Sequence, residues 1–191
     1  VFGRPYVHSR GRTDKFAGAM ASKKATPHHK PTTLLLVRHG QTPTTGQSLP
    51  GRAPGLHLSE TGLKQAAEVA ERLASFPKID AIYSSPLERT RETAAPLAKQ
   101  RKQKVIIDKG LIECDFGKWT GGKLSDLMKL PEWKTVQGAP STFRFPNGES
   151  FTEMQVRIST ALDNIRLRHP GGVVVCFSHA DPIKAALAHA M

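Results

Sequence analysis

Four short apolar segments recur along the chain, and stretches with a helical spacing of apolar residues separate them. The segments cover residues 33–38, 79–83, 105–107 and 173–177. Their apolar residues are continuous rather than alternating with polar ones, which is typical of strands that are buried on both faces. Buried strands that alternate with helices predict an α/β fold: a three-layer sandwich with a mostly parallel central sheet and helices on both faces.

The first two helices are predicted from their start signals. Ser59 is a candidate N-cap, because a serine hydroxyl can accept a hydrogen bond from the first turn of a helix. The apolar residues that follow share one helical face: Leu63, Ala66, Ala67, Ala70, Leu73 and Ala74. Ser84-Ser85-Pro86 is predicted to open the second helix, with the proline near its first position.

The two later helices also have recognisable starts. Ser150 and Glu153 have the spacing of a capping box, in which each side chain caps the other residue's backbone N–H. Asp181 and Pro182 predict an N-cap and the first position of a final helix that extends to Ala190.

The region between the third strand and the capping box is rich in glycine and proline. Residues 115–122 predict a turn, residues 123–130 predict a short helix, and residues 131–148 predict a long loop.

The start of the chain differs in composition from the rest. Residues 1–30 contain seven Lys or Arg and one acid, and so carry half of the formal net charge of +12. The absence of periodicity predicts a basic disordered tail over residues 1–32, followed by one domain over residues 33–191. The tail weakly resembles a transit peptide. A nucleic-acid partner is a disfavoured interpretation, because the tail contains no recognised nucleic-acid-binding motif.

Composition also narrows the class of protein. No apolar run approaches the roughly 18 residues of a membrane helix, so no membrane association is expected. The two cysteines, Cys114 and Cys176, fit neither a disulfide framework nor a zinc site and are predicted to be packing residues. We therefore expect a cytoplasmic protein. The moderately basic domain suits an anionic substrate.

Polar residues follow the predicted strands where a parallel sheet would gather ligands. Arg38-His39 follows the first strand, Ser84-Ser85 the second, Glu113 lies beyond the third, and Ser178-His179 follows the fourth. Arginine offers a fork of donors that matches phosphate oxygens, and a neutral histidine has one nucleophilic ring nitrogen. An arginine and a histidine at a strand end can also be incidental.

Four ordered motifs resemble those of the histidine phosphatase superfamily, the phosphoglycerate mutase-like proteins. Residues 36–42 (LVRHGQT) resemble the signature of the family, and residues 84–94 (SSPLERTRETA) resemble its second phosphate-binding segment. Residues 111–119 (LIECDFGKW) resemble the segment with the proton donor, and residues 177–181 (FSHAD) resemble the one with the second catalytic histidine. The resemblance covers roughly residues 33–190 and implies a phosphoglycerate mutase-like fold.

The resemblance implies a role for each matched residue. His39 would attack phosphorus, and Glu113, held protonated by a raised pKa, would give its proton to the leaving oxygen. Arg38, Arg89 and a protonated His179 would surround the phosphoryl oxygens. No metal and no cofactor is implied, because these side chains supply the positive charge.

The chain departs from the family pattern at three places. Thr45 stands where the family often has an asparagine that helps to bind phosphate, so Thr45 is expected to bind phosphate through its hydroxyl. Ala180 stands where glycine is common. The chain ends at Met191, where members of the family usually continue, so we expect that the C-terminal part of the domain is missing.

Each candidate also has a purely structural interpretation. Arg89 can be an exposed helix residue that pairs with Glu88 or Glu92, and Glu113 can be a carboxylate on a surface turn. Asp181 is interpreted as a helix cap rather than as a catalytic group.

We therefore predict a phosphomonoester hydrolase that acts through a phosphohistidine on a small phosphorylated metabolite, with a homodimer as a further expectation. Residues 115–119 resemble the phosphatase branch of the family. A cofactor-dependent phosphoglycerate mutase and a non-catalytic protein that binds a phosphorylated ligand are the alternatives. Basic residues within 120–150 favour an acidic substrate but fit a solvated surface equally well.

Overall fold

A parallel four-stranded sheet forms the centre of the domain. The computed structural model describes residues 30–191, and residues 1–29 of the predicted basic tail lie outside the described residues. The strands are β1 (Thr33–Arg38), β2 (Ala81–Ser84), β3 (Val105–Ile107) and β4 (Val173–Ser178). Their spatial order is β1-β4-β2-β3, and every neighbouring pair is parallel. The predicted parallel sheet is confirmed.

The position of each strand in the sheet determines its burial. β2 is buried along its length, and β4 is buried except at its first residue, because each has a strand on both sides and helices on both faces. β1 and β3 lie at the two edges of the described sheet and are partly exposed. The prediction of a buried strand is therefore confirmed for β4 and wrong for β1.

Six α-helices and three short 3₁₀ helices surround this sheet within residues 30–191. The α-helices are α1 (Glu60–Ala74), α2 (Glu88–Arg101), α3 (Leu124–Leu127), α4 (Trp133–Gly138), α5 (Phe151–Arg168) and α6 (Ala180–Ala190). The 3₁₀ helices are Lys109–Leu111, Gly117–Trp119 and Pro140–Thr142. None of the helices in this part of the chain is both long and apolar enough to cross a membrane.

The alternating side chains of β4 divide the core into two layers. Val175 and Phe177 pack with residues of α1 and α2 on one face of the sheet. Val174 and Cys176 pack with residues of α5 and α6 on the other face. Successive strand residues point to opposite faces, so one strand contributes to both layers. The predicted sandwich with helices on both faces is confirmed.

Part of the predicted loop over residues 131–148 is helical and packs into an aromatic cluster. Within that range the chain forms α4 and the 3₁₀ helix Pro140–Thr142. Trp133 of α4 stacks on Trp119, with 6.0 Å between ring centroids and 20° between ring planes. The loop prediction is wrong here because contacts with a distant aromatic side chain stabilise a helix too short to show a periodic pattern.

Helix α1 begins as predicted but buries a narrower face than predicted. The Ser59 hydroxyl accepts a hydrogen bond from the Gly62 N–H at 3.1 Å, which confirms the N-cap. The buried residues are Gly62, Ala66, Ala70 and Leu73. Leu63, Ala67 and Ala74 are exposed, so the predicted apolar face was too wide. Small residues on this face allow α1 to approach the loop after β1 closely.

The starts of α2 and α6 differ from the prediction, whereas the capping box at Ser150 and Glu153 is present. Leu87 is the N-cap of α2, so Pro86 lies before the helix. His179 is the N-cap of α6, which places Asp181 inside its first turn rather than at the cap. The reason is that β4 leads directly into α6, and the strand end fixes where the helix begins.

The Leu97 side chain is fully buried between α2 and the sheet, whereas Leu167 on α5 is 68% exposed. We predict that Leu97→Ala lowers the free energy of unfolding by about 3 kcal/mol, because it removes apolar contacts and leaves a cavity. Leu167→Ala is the matched control and should change it by less than about 0.5 kcal/mol. Urea denaturation measures both, and similar losses would contradict the assigned core.

Candidate active site

The register of two strands brings two histidines side by side. Arg38 at the end of β1 lies opposite Ser178 at the end of β4. The next residues, His39 and His179, therefore leave the sheet at the same level, and the His39 N–H donates to the Ser178 carbonyl at 3.1 Å. Their rings meet edge to face, with 5.2 Å between centroids. The two predicted histidines lie in one site.

His39 is held as a neutral ring with one free nitrogen. Its Nδ1 lies 2.7 Å from the Gly40 carbonyl oxygen, which can only accept, so Nδ1 carries the proton and Nε2 has the lone pair. Burial above all, together with the charges of Arg89 and Arg38 and against the opposing effect of the hydrogen bond to Gly40, lowers the pKa of His39 to about 4. His39 therefore has a free lone pair on Nε2 at neutral pH, as a nucleophile requires.

Close backbone packing holds the loop that carries His39. The Gly40 N–H donates to the Thr93 hydroxyl of α2 at 3.1 Å. A methyl group at Gly40 would lie 2.6 Å from the Gly62 carbonyl oxygen, and one at Gly62 would lie 2.0 Å from that of Gln41. Only glycine allows the loop and α1 to approach this closely.

Arg89 is a fully buried cation, and two of its hydrogen-bond donors are unpaired among the described residues. Its side chain is inaccessible to solvent, which contradicts the interpretation as an exposed helix residue. Nη2 donates to the Gly51 carbonyl at 2.8 Å. Nε and Nη1 have no hydrogen-bond partner among the described residues. A buried guanidinium with two unmatched donors is suited to bind an oxyanion.

His179 lies between a serine and the candidate acid. Its Nε2 shares a hydrogen bond of 2.9 Å with the Ser85 hydroxyl, and its Nδ1 lies 3.8 Å from Glu113 Oε2. Burial, followed by the charge of Arg89, lowers the pKa of His179 well below its ordinary value. The protein alone thus favours the neutral ring, so the predicted protonated form requires a phosphoryl anion beside it.

Glu113 is a buried carboxyl whose environment favours its protonated form. It is 7% exposed, which contradicts the interpretation as a surface carboxylate. Its pKa is raised to about 7, chiefly by burial and also by the charge of Asp181. The Cys114 N–H, which donates to Oε1 at 2.8 Å, partly opposes the rise in pKa. Glu113 can therefore hold a proton near neutral pH and also release it.

An open cleft of about 260 Å³ adjoins the nucleophile. Its lining residues are Arg38, His39, Gly40, Gln41, Thr45 and Gln65. Arg38 is exposed here at the end of β1. Thr45 is also exposed, and its hydroxyl accepts a hydrogen bond from the Thr42 N–H at 2.9 Å. Thr45 thus shapes the loop, and its binding of phosphate stays a prediction.

The sequence did not predict the roles of three supporting residues. Ser85 contacts His179, Thr93 supports Gly40, and the Gly51 carbonyl orients Arg89. Ser85 and Thr93 lie inside the matched segment 84–94, so that segment was the signal that could have identified them. Gly51 acts through its backbone and has no such signal.

The arrangement combines a nucleophile, two cations and an acid. His39 offers a lone pair, Arg38 and Arg89 supply positive charge, and Glu113 lies beside His179. Such a pocket can accept a phosphoryl group and move a proton to a leaving oxygen. Across residues 30–191, no three His, Cys, Asp or Glu side chains are grouped so that they could bind a metal ion.

Comparison with known proteins identifies the same family as the motifs do. The family model of the histidine phosphatase superfamily (branch 1) matches residues 34–191. A solved structure of a mycobacterial glucosyl-3-phosphoglycerate phosphatase is 28% identical, with a TM-score of 0.74 over 82% of this chain and 77% of that chain. The predicted phosphoglycerate mutase-like fold is therefore confirmed.

Two curated relatives extend this comparison. Phosphoserine phosphatase 1 of Hydrogenobacter thermophilus is 38% identical over 157 residues, which cover 80% of this chain and 72% of that protein. A bifunctional protein of Mycobacterium tuberculosis is 37% identical over 160 residues, which cover 82% of this chain and 43% of that protein. The chain thus spans less than half the length of the bifunctional relative.

We predict that Gly62→Ala destabilises the protein by about 2 kcal/mol, because the added methyl group would overlap the Gln41 carbonyl oxygen and displace the loop beside His39. Helix propensity alone predicts the opposite sign, since alanine is the better helix former. Gly138→Ala is the matched control, because its methyl group would meet no atom within 4 Å. Thermal unfolding measures both variants, and a stabilised Gly62→Ala would contradict the close approach.

Proposed function

Because this chain belongs to the histidine phosphatase superfamily, branch 1, we propose that it is a phosphomonoester hydrolase that works through a phosphohistidine at His39. One observation carries this proposal. The free Nε2 of His39 lies in the same site as the unmatched donors of buried Arg89 and the protonatable carboxyl of Glu113. A nucleophile, an anion-binding cation and an acid are the groups that phosphoryl transfer requires.

In the first step, His39 Nε2 attacks phosphorus as the bond from phosphorus to the ester oxygen breaks. Glu113 gives its proton to that oxygen, so the alcohol leaves neutral. Arg38, Arg89 and His179 surround the other phosphoryl oxygens, where negative charge is spread in the transition state. The phosphoryl anion raises the pKa of His179, so its ring gains a proton only when the anion is bound.

In the second step, the Glu113 carboxylate removes a proton from a water molecule. The water oxygen forms a bond to phosphorus, and the bond from Nε2 of His39 to phosphorus breaks. Inorganic phosphate leaves, His39 is neutral again, and Glu113 is protonated for the next cycle. One carboxyl thus acts first as acid and then as base, for which a pKa of about 7 is suited.

We propose a small phosphorylated metabolite as the substrate class. The names of two relatives state a phosphoserine phosphatase and a glucosyl-3-phosphoglycerate phosphatase, whose substrates each carry a phosphate ester. Arg38 and Arg89 supply the positive charge that such an ester needs, so the proposed reaction uses no metal. Three further predictions are not tested: a cytoplasmic location, a homodimer, and a nucleic-acid partner as the disfavoured interpretation.

We predict that wild-type protein hydrolyses p-nitrophenyl phosphate in the presence of EDTA and that His39→Ala lowers the rate at least about a thousandfold, because the nucleophile is lost. His189→Ala is the matched control, since His189 is exposed near the end of α6, and it should keep the wild-type rate. An unchanged rate in His39→Ala would refute the mechanism. No turnover by folded wild-type protein would favour a mutase or a non-catalytic phosphate-binding protein.

We also predict a bell-shaped pH dependence of kcat/KM for phenyl phosphate, which has a poor leaving group. Below about pH 4 His39 gains a proton and loses its nucleophilic lone pair. Above about pH 7 Glu113 loses the proton that the leaving group needs. With p-nitrophenyl phosphate, whose leaving group needs no acid, the upper limb should be much weaker. Identical upper limbs for the two esters would exclude Glu113 as the proton donor.

A further inference from the structure

Three charged side chains outside the proposed catalytic set surround the backbone that carries Glu113. They are Arg52, Glu149 and Arg157, which we call the bracket. Arg52 lies in the loop before α1, Glu149 precedes the capping serine of α5, and Arg157 lies within α5. Their side chains are 32%, 14% and 21% exposed. The bracket joins three segments that are distant in sequence.

The two arginines of the bracket donate to backbone carbonyls around Glu113. Arg157 Nη1 donates to the carbonyls of Gly110 at 2.8 Å and Ile112 at 2.9 Å, and its Nη2 lies 3.3 Å from that of Glu113. Arg52 Nε donates to the same Glu113 carbonyl at 2.9 Å. Both arginines thus converge on the residue whose side chain is the proposed acid.

Glu149 connects the two arginines. Its carboxylate accepts two hydrogen bonds from Arg157, at 2.8 and 2.9 Å, in a bidentate arrangement. It also accepts from Arg52 Nη2 at 2.9 Å and from the Asp115 N–H at 3.2 Å. Bidentate pairs between arginine and carboxylate fix orientation as well as distance, so each guanidinium is held in one geometry.

The segment that the bracket contacts has little regular structure of its own. The 3₁₀ helix Lys109–Leu111 ends two residues before Glu113, and residues 112–116 have no helix or strand. The position of the Glu113 carboxyl therefore depends on side chains from other segments. A carboxyl that must give a proton to a leaving oxygen has to be placed closely, since an error of about 1 Å can cost roughly a hundredfold in rate.

The bracket also reaches the phosphate-binding half of the site. Gly51 precedes Arg52, and its carbonyl accepts the hydrogen bond from Arg89 Nη2 at 2.8 Å. One dipeptide thus contacts the guanidinium that would hold the phosphoryl group and the backbone of the residue that would protonate the leaving group. A displacement of this turn would change the distance between the two halves of the site.

We propose that Arg52 and Arg157, bridged by Glu149, are positioning residues that hold the Glu113 carboxyl against the leaving oxygen of the bound ester. This inference rests on the proposed function, in which Glu113 is the proton donor. The bracket itself does not touch the reacting atoms. Its removal should therefore impair proton transfer to the leaving group and spare the attack by His39.

The dependence of rate on the leaving group separates positioning from a merely structural role. Protonation matters little for a good leaving group such as p-nitrophenolate and much for a poor one such as phenolate. A bracket that only stabilises the fold would affect all esters equally. The experiment measures kcat/KM for a series of substituted phenyl phosphates, from p-nitrophenyl to phenyl, with the full chain.

Arg52→Lys and Arg157→Lys are the test variants, because each keeps the charge while its single ammonium cannot serve both Glu149 and the carbonyls. Arg166→Lys on α5 is the matched control, since Arg166 is exposed and pairs with Asp163. Glu113→Gln gives the slope expected when the acid is absent. Thermal unfolding shows whether each variant is folded. If Arg157→Lys does not fold, Arg52→Lys alone tests the positioning role.

We expect both test variants to stay within about threefold of wild type on p-nitrophenyl phosphate and to fall about 30-fold on phenyl phosphate, so that the slope approaches that of Glu113→Gln. Arg166→Lys should keep the wild-type slope. Equal losses on all esters, or wild-type slopes, would overturn the positioning role and leave the proposed function intact. If the His39→Ala variant instead turns over substrate at the wild-type rate, the proposed function itself is overturned.

Discussion

The parallel pairing of β1 with β4 is the constraint on which the site depends. Because Arg38 lies opposite Ser178, the two strands release His39 and His179 at the same level and in contact. The path from β2 into α2 then brings the Arg89 guanidinium near enough that its charge lowers the pKa of both histidines. A shift of the pairing by one residue would reverse which side chains face each layer of the core. The core and the site therefore require the same register.

Burial gives the site its chemistry by moving the pKa values of its groups in opposite directions. It lowers the pKa of both histidines, so their rings are neutral at physiological pH, and it raises that of Glu113 to about 7, so this carboxyl can both hold and release a proton near neutral pH. Arg89 keeps its charge and has two unmatched donors. A preorganised cation in a site of low dielectric stabilises a phosphoryl transition state more strongly than it would in water. The same burial makes unpaired polar groups costly, and hydrogen bonds to the Gly40 and Gly51 carbonyls hold His39 and Arg89.

Much of this arrangement could be predicted from the sequence, because it has local sequence signals. Features that depend on contacts between distant residues could not. Continuous apolar strands alternating with helices indicate a parallel sheet. His39 directly follows such a strand, so its location at the carboxyl end of the sheet was predictable. The N-cap of α6 could not be predicted in the same way. Asp181 and Pro182 are the stronger local signal for a helix start, but the end of β4 places the N-cap at His179. The contact between Arg52 and Glu113 joins residues 61 positions apart and has no local signature.

The proposed mechanism requires that Nε2 of His39 carries the phosphoryl group between the two steps. Glu113→Gln should accumulate this species on p-nitrophenyl phosphate, because the first step needs no acid there and the second loses its base. Rapid quenching in alkali, in which phosphohistidine survives, followed by peptide mass spectrometry locates the phosphoryl group. We expect phosphorylated His39 in near-stoichiometric amount. A phosphoryl group on another side chain, or continued turnover with His39 unmodified, would contradict it.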